Sequence, residues 1–554
     1  MSITDRLSSR EPWVSDQGDG TFANPVLHAD YSDPDVVKVG GDFYMTASSF
    51  GHIPGLPILR SNDLVNWRLI GHAIRRMELP GYDKPQHGNG VWAPSIRHHD
   101  GKFWIFYGDP DVGIFMTTAV DPAGEWSPPH LVHAGKGLID TCPFWDDDGR
   151  AYLVHAYANS RCGIKHKLRV CRMSPDGTRL LDEGAIVYDG ERDHPTLEGP
   201  KLYKKDGYYY IFAPAGGVAT GWQVVFRSKS VFGPYEDKIV LRQGDTPVNG
   251  PHQGGWVELD SGESWFLHFQ DKGAYGRIVH LQPVRWRDGW PLMGEDRDGD
   301  GVGEPVLRMR KPNVGRSYPI ETPAASDEFD AAELGLQWQW QANPQESWYR
   351  LEERPSHLRL YAVQAPHDAP GLYMAPQLLL QKFPAPSFEA TAKLDGSRLA
   401  AGERAGIVVF GYSYATLSVL RTADGAGGLA VSLTVGDKEG ESELWREKTA
   451  RNGNGSGGGV SVGNEEADGG GDSGALYLRV TVTEGARCAF AWSADGVSFR
   501  PAEAPVFEAR KGHWVGAKTG LFAISGQRPA SAVGGYADVD WFRVSAVEER
   551  SKGE

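Results

Sequence analysis

Asp140–Ala156 reads DTCPFWDDDGRAYLVHA: a leading acid, a short apolar run, a D-G turn, then an aromatic-rich run. Four other stretches follow the same plan. They are DPDVVKVGGDFYMTAS from Asp33, WAPSIRHHDGKFWIFYG from Trp92, EGPKLYKKDGYYYIFAPAG from Glu198 and HQGGWVELDSGESWFLHFQ from His252. A D-G or G-x turn between two alternating runs is a hairpin signal. Repetition at roughly 45–60 residues falls in the range of propeller blades.

Each unit also has a second half. It reads ILRSNDLVNWRLIG from Ile58, MTTAVDPAGEWSPP from Met116 and VFRSKSVFGPYEDKIV from Val225, a third and fourth strand joined by a turn. Four strands in each of five units predict a five-bladed β-propeller. Recurrence of both half-motifs in the same order argues against an ordinary β-sandwich. We place the propeller at residues 1–320, with 303–326 (rich in Pro and Gly) as the linking region. Residues 327–554 resume alternating strands and close on YADVDWFRVSAV, which predicts a second all-β domain, a jelly-roll sandwich. Within it, RNGNGSGGGVSVGNEEADGGGDSG (451–474) is expected to be a flexible surface insertion.

Composition agrees with an all-β chain: 554 residues carry 70 Gly, 36 Pro, 18 Trp, 21 Tyr and 21 Phe. A net charge of −15 argues against nucleic acid or an anionic membrane as partner and suits a neutral ligand. Four cysteines make no disulfide framework or metal cluster. The N-terminal MSITDRLSSREPWVSD has no apolar signal core, so a soluble cytoplasmic enzyme is the expectation.

In a propeller the first strand of each blade lines the central channel, so equivalent starting positions converge. Here those positions are Asp33, the Trp92–Ala93 pair, Asp140, Glu198 and His252. Three acids and a histidine are not what packing requires, because acids are rarely buried unpaired. Like charges brought together push at least one pKa upward. One ionised and one protonated carboxylate is what glycoside hydrolysis needs. Glu198 has the reach of a general acid, Asp33 before Pro34 suits a fixed base, and Asp140 could tune Glu198. Taken singly, Asp33 could equally sit in a simple turn and Asp140 could cap a strand.

At these residues the sequence resembles glycoside hydrolase family 43, whose members are inverting enzymes on five-bladed propellers. The stretches that carry the likeness are ANPVLHADYSDPDVVKVGGDFYMTASSF, VWAPSIRHHDGKFWIFYG, GLIDTCPFWDDDGRAYLVHA and TLEGPKLYKKDGYYYIFAPAGG. The resemblance implies Asp33 as general base, Asp140 as pKa modulator and Glu198 as general acid. It also implies Phe50 and Trp92 as walls of the −1 sugar pocket and Arg277 as a ligand of sugar hydroxyls, or else one half of an inter-strand salt bridge. His252 matches a histidine beneath the site that in relatives bonds calcium or water. The region after Asp327 resembles the concanavalin-A-like domain of β-xylosidases and arabinofuranosidases, with a loop at His513 and Trp514 as candidate closure of the pocket.

No organic cofactor is implied. For calcium, GEDRDGDGVGEPV (294–306) starts like an EF-hand loop at Asp296, Asp298, Asp300 and Gly301, but position 12 is Leu307 and no helices flank it. Asp327 and Asp540 are candidates for a structural calcium shared by the first and last strands of the second domain. The reading is an inverting exo-hydrolase releasing xylose or arabinofuranose from short oligosaccharides. A homo-oligomer is compatible with it. The rivals are an arabinofuranosidase acting on arabinan or arabinoxylan side chains, a retaining furanosidase of invertase type and a non-catalytic sugar binder. The retaining type would need an Arg-Asp-Pro motif that is absent, and the sugar binder would be expected to lack one of the three acids.

Overall fold

A computed structural model describes residues 11–364, 371–423, 428–449, 475–526 and 534–547. The glycine-rich stretch 451–474 lies outside the described residues. Five four-stranded antiparallel sheets occupy residues 35–74, 92–134, 138–189, 201–241 and 252–293, and in each the strands pair in chain order. These are the five blades, one to five.

Local chemistry explains the hairpins. Asp100–Gly101 and Asp206–Gly207 both have positive φ at the two turn positions (49° and 69°, 50° and 73°). That is the type I′ turn, whose twist matches the flanking strands and whose second position favours glycine. Strand burial reports packing. Lys102–Asp109 is buried at every position but its first, since blades cover both of its faces, whereas Ala475–Thr483 alternates strictly and covers one. Between blades the contacts are apolar, as where Val154 and Val170 of blade three share a cluster with Ile211 and Phe226 of blade four.

The N-terminal part closes the ring. Thr21–Ala23 pairs antiparallel with Arg308–Arg310, and the Asn24 amide bonds Leu281 O, Val306 O and Leu281 N, each at 2.8 Å. Beyond it, two eight-stranded sheets form a sandwich around a core that includes Trp338, Phe388, Ile407, Leu417, Val480 and Phe542. The two domains meet through backbone contacts: Ile53 and Trp340 bond each other's main chain, and the Asn343 side chain bonds Met77 N and Met77 O.

Candidate active site

The innermost strands begin with a repeated backbone kink. Asp33, Ala93, Asp140, Gly199 and Gln253, one per blade, have φ of 54°, 39°, 59°, 60° and 26°. Left-handed non-glycine residues are strained and persist where surrounding structure holds them. In blades two, three and five the kink coincides with a register shift against the next strand. The expected equivalence of the five positions is therefore corrected by one residue. In blades four and five the left-handed residue follows Glu198 and His252 rather than coinciding with them.

The result is an open cavity lined by Asp33, Asp140, Glu198, His252, Phe50, Trp92 and Arg277. All seven site residues expected in the propeller meet here. Trp514 of the second domain completes the lining, as do Ala93, Ile139, Val218 and Gln253.

Each acid has a different environment. Asp33 is buried and accepts bonds from Ser48 Oγ (2.6 Å), Ser32 Oγ (2.7 Å) and Arg277 Nη1 (2.9 Å). Asp140 is also buried, and its Oδ2 accepts the Gly199 N–H at 2.7 Å. Glu198 has a side chain 28% exposed, and its Oε1 lies 3.0 Å from His252 Nε2. Glu198 is thus the acid most open to the pocket.

Burial and the neighbouring Glu198 carboxylate push Asp140 up to about 8, against the pull of the Gly199 N–H. Asp140 therefore keeps its proton at neutral pH. The folded state then binds more protons than the unfolded one between about pH 4 and pH 8, and stability falls as pH rises through that window. Asp140→Asn is expected to raise Tm at pH 8 relative to wild type and to change it little at pH 4. It should also move the alkaline limb of the kcat/KM profile to lower pH. Thermal melts and pH–rate profiles of the two proteins check both.

The walls are aromatic. Phe50 and Trp92 pack edge to face at 6.2 Å, and Trp514 meets Trp92 edge to face at 5.9 Å. The Arg277 guanidinium lies over Phe269 and Trp514. Its contact with Asp33 makes it a partner of that acid, which the sequence presented only as a sugar ligand or an inter-strand salt bridge. Residues that sequence reasoning missed include Ser48, which also receives the Ala93 N–H, and Lys201, fully buried on Pro94 O and Ser95 Oγ. A lysine three residues after the acid had no pattern to mark it.

The metal expectations fare differently. Asp327 accepts the Phe329 and Gly335 N–H groups and Trp338 Nε1–H, while Asp540 pairs with Lys393 at 2.7 Å. Each of these two carboxylates therefore has donors of its own. His252 Nδ1 has no protein partner, which leaves it able to bond a water. Among the described residues, only Asp296, Asp298 and Asp300 form a group of three potential ligands close enough to share an ion. Arg242 already bonds Asp298 and Asp300 there.

Paired carboxylates at the mouth of a five-bladed propeller, capped by a β-sandwich, define a glycoside hydrolase. The model of Glycosyl hydrolases family 43 matches residues 22–291, and that of the Beta xylosidase C-terminal Concanavalin A-like domain matches 326–545. A protein from Xylanibacter ruminicola named "Putative beta-xylosidase" is 46% identical over 68% of this chain and 69% of its own. A "Beta-xylosidase" from Formosa agariphila is 33% identical over 95% and 90%. A solved GH43 structure from Bacillus licheniformis superposes with a TM-score of 0.79 at 29% identity, covering 95% of this chain and 100% of that one. The chain belongs to glycosyl hydrolase family 43.

Proposed function

We propose that the enzyme removes xylose, or arabinofuranose, from the non-reducing end of short oligosaccharides in one inverting step. The observation that carries this reading is the cavity in which three differently supported acids face aromatic walls. Asp33 acts as the general base: it takes a proton from a water whose oxygen attacks the anomeric carbon. Glu198 acts as the general acid and gives a proton to the departing glycosidic oxygen. Asp140 holds the proton balance of Glu198. Separation of base and acid by room for a water would give inversion.

Relatives named for xylose and for arabinofuranose both support the sugar class. One is the "Non-reducing end alpha-L-arabinofuranosidase" of Bacteroides ovatus, 32% identical over 70% of this chain and 73% of its own. Closure of the pocket by Trp514 favours a chain end over a chain interior. No step requires an organic cofactor. Calcium at Asp296, Asp298 and Asp300 would serve structure, since these acids are not among the residues lining the cavity.

The test is hydrolysis of aryl β-xyloside and aryl α-arabinofuranoside, followed by proton NMR of the first-formed sugar. We expect cleavage of at least one, with inverted configuration at the anomeric carbon. Cleavage of neither would overturn the substrate class, and retained configuration would overturn the mechanism.

A further inference from the structure

Asp30 lies three residues before the proposed base, is 3% exposed and does not line the sugar cavity. Its Oδ1 accepts the Arg277 N–H at 2.8 Å, and its Oδ2 accepts the Gly516 N–H at 2.8 Å. One carboxylate therefore ties together two segments from different domains. The first is the strand Arg277–Arg287, whose leading guanidinium bonds Asp33. The second is the loop that carries Trp514.

Contact between these segments is close. A Cβ added to Gly516 would stand 2.8 Å from Gly276 N, and one added to Gly276 would stand 2.5 Å from Asp30 Cγ. Ala517 N–H donates to Ala274 O at 2.7 Å. Past this seam the loop closes a turn, Gly512 N–H to Val515 O at 2.8 Å, and Trp514 sits in it at φ 65° and 44% exposed. A large apolar ring so exposed is held over the pocket by the loop's anchorage. Lys382 and Lys518 are paired residues on adjacent sandwich strands, both sense the charge of Asp30, and Lys518 is buried. Burial disfavours the charge on both lysines and lowers Lys518 to about 7, so the two backbone N–H donors are what hold the carboxylate at this depth.

We propose that Asp30 is a positioning residue that sets the Arg277–Asp33 pair and the Trp514 wall together, coupling the seating of the second domain to closure of the pocket. This rests on the reading of Asp33 as base. Asp30→Asn would leave one acceptor and would turn an NH₂ toward a backbone N–H, so one of the two ties is lost.

The experiment compares wild type, Asp30→Asn, Trp514→Ala and the double variant. Hydrogen exchange of the peptide spanning 510–517 is expected to quicken about tenfold in Asp30→Asn, in line with loss of a charge-assisted hydrogen bond. On an aryl xyloside, Asp30→Asn and Trp514→Ala should each raise KM about tenfold with a smaller fall in kcat. The double variant should be no worse than Asp30→Asn alone, since loss of the Asp30 tie already displaces the Trp514 wall. Unchanged exchange, or effects that simply add, would overturn the proposal. If Asp30→Asn fails to fold, Gly516→Ala takes its place, because its methyl wedges the same seam with Asp30 intact. Exchange is read without substrate, so a failure of the proposed activity is told apart from a failure of this coupling.

Discussion

Glu198→Gln is expected to cut kcat on xylobiose about a thousandfold, and much less on a xyloside of an acidic phenol. A sugar leaving group needs a proton as its bond to the anomeric carbon breaks, whereas an acidic phenol departs as its anion. Glutamine keeps the volume of Glu198 and can still meet His252 Nε2, 3.0 Å from Oε1 in the native chain. Tm should therefore change little. Steady-state rates on the two substrates check the assignment. Equal losses on both would mean that the residue does not protonate the leaving group.

Asp33→Asn should lower kcat about a thousandfold or more on both substrates alike, because every turnover needs the water deprotonated whatever group departs. The cost also includes an Arg277 side chain, 11% exposed, left without its anion. Asp33→Gly supplies a sharper measurement. Azide needs no base, so it should restore turnover and form a glycosyl azide of inverted configuration, read by NMR. An azide product of retained configuration would mean that a double displacement on another nucleophile survives the loss of Asp33, so that Asp33 is not the base of an inverting reaction.

Much of the fold was legible because its signals are local. Each D-G pair marks a turn, each alternating run marks a strand, and a blade needs little beyond the two. The site acids were legible for a related reason: a repeat brings its equivalent positions to one axis. What the repeat did not show is the one-residue offset in blades four and five, since a kink at Gly199 or Gln253 leaves no compositional trace. The partners of Asp327 and Asp540 left no trace in the sequence either: the backbone donors on the first and Lys393 on the second are supplied by three-dimensional packing.

Short-range periodicity and repetition along the chain were enough to specify the five blades, the second all-β domain and the three acids. What surrounds those acids was settled by tertiary structure alone. Folding brought Arg277 to Asp33 across 244 residues of chain and Gly516 to Asp30 across 486, and it buried Asp140 while leaving Glu198 open. The physical reason is that charge, desolvation and hydrogen bonding act through space, and distances in space between such remote residues are set by how the blades and the sandwich pack.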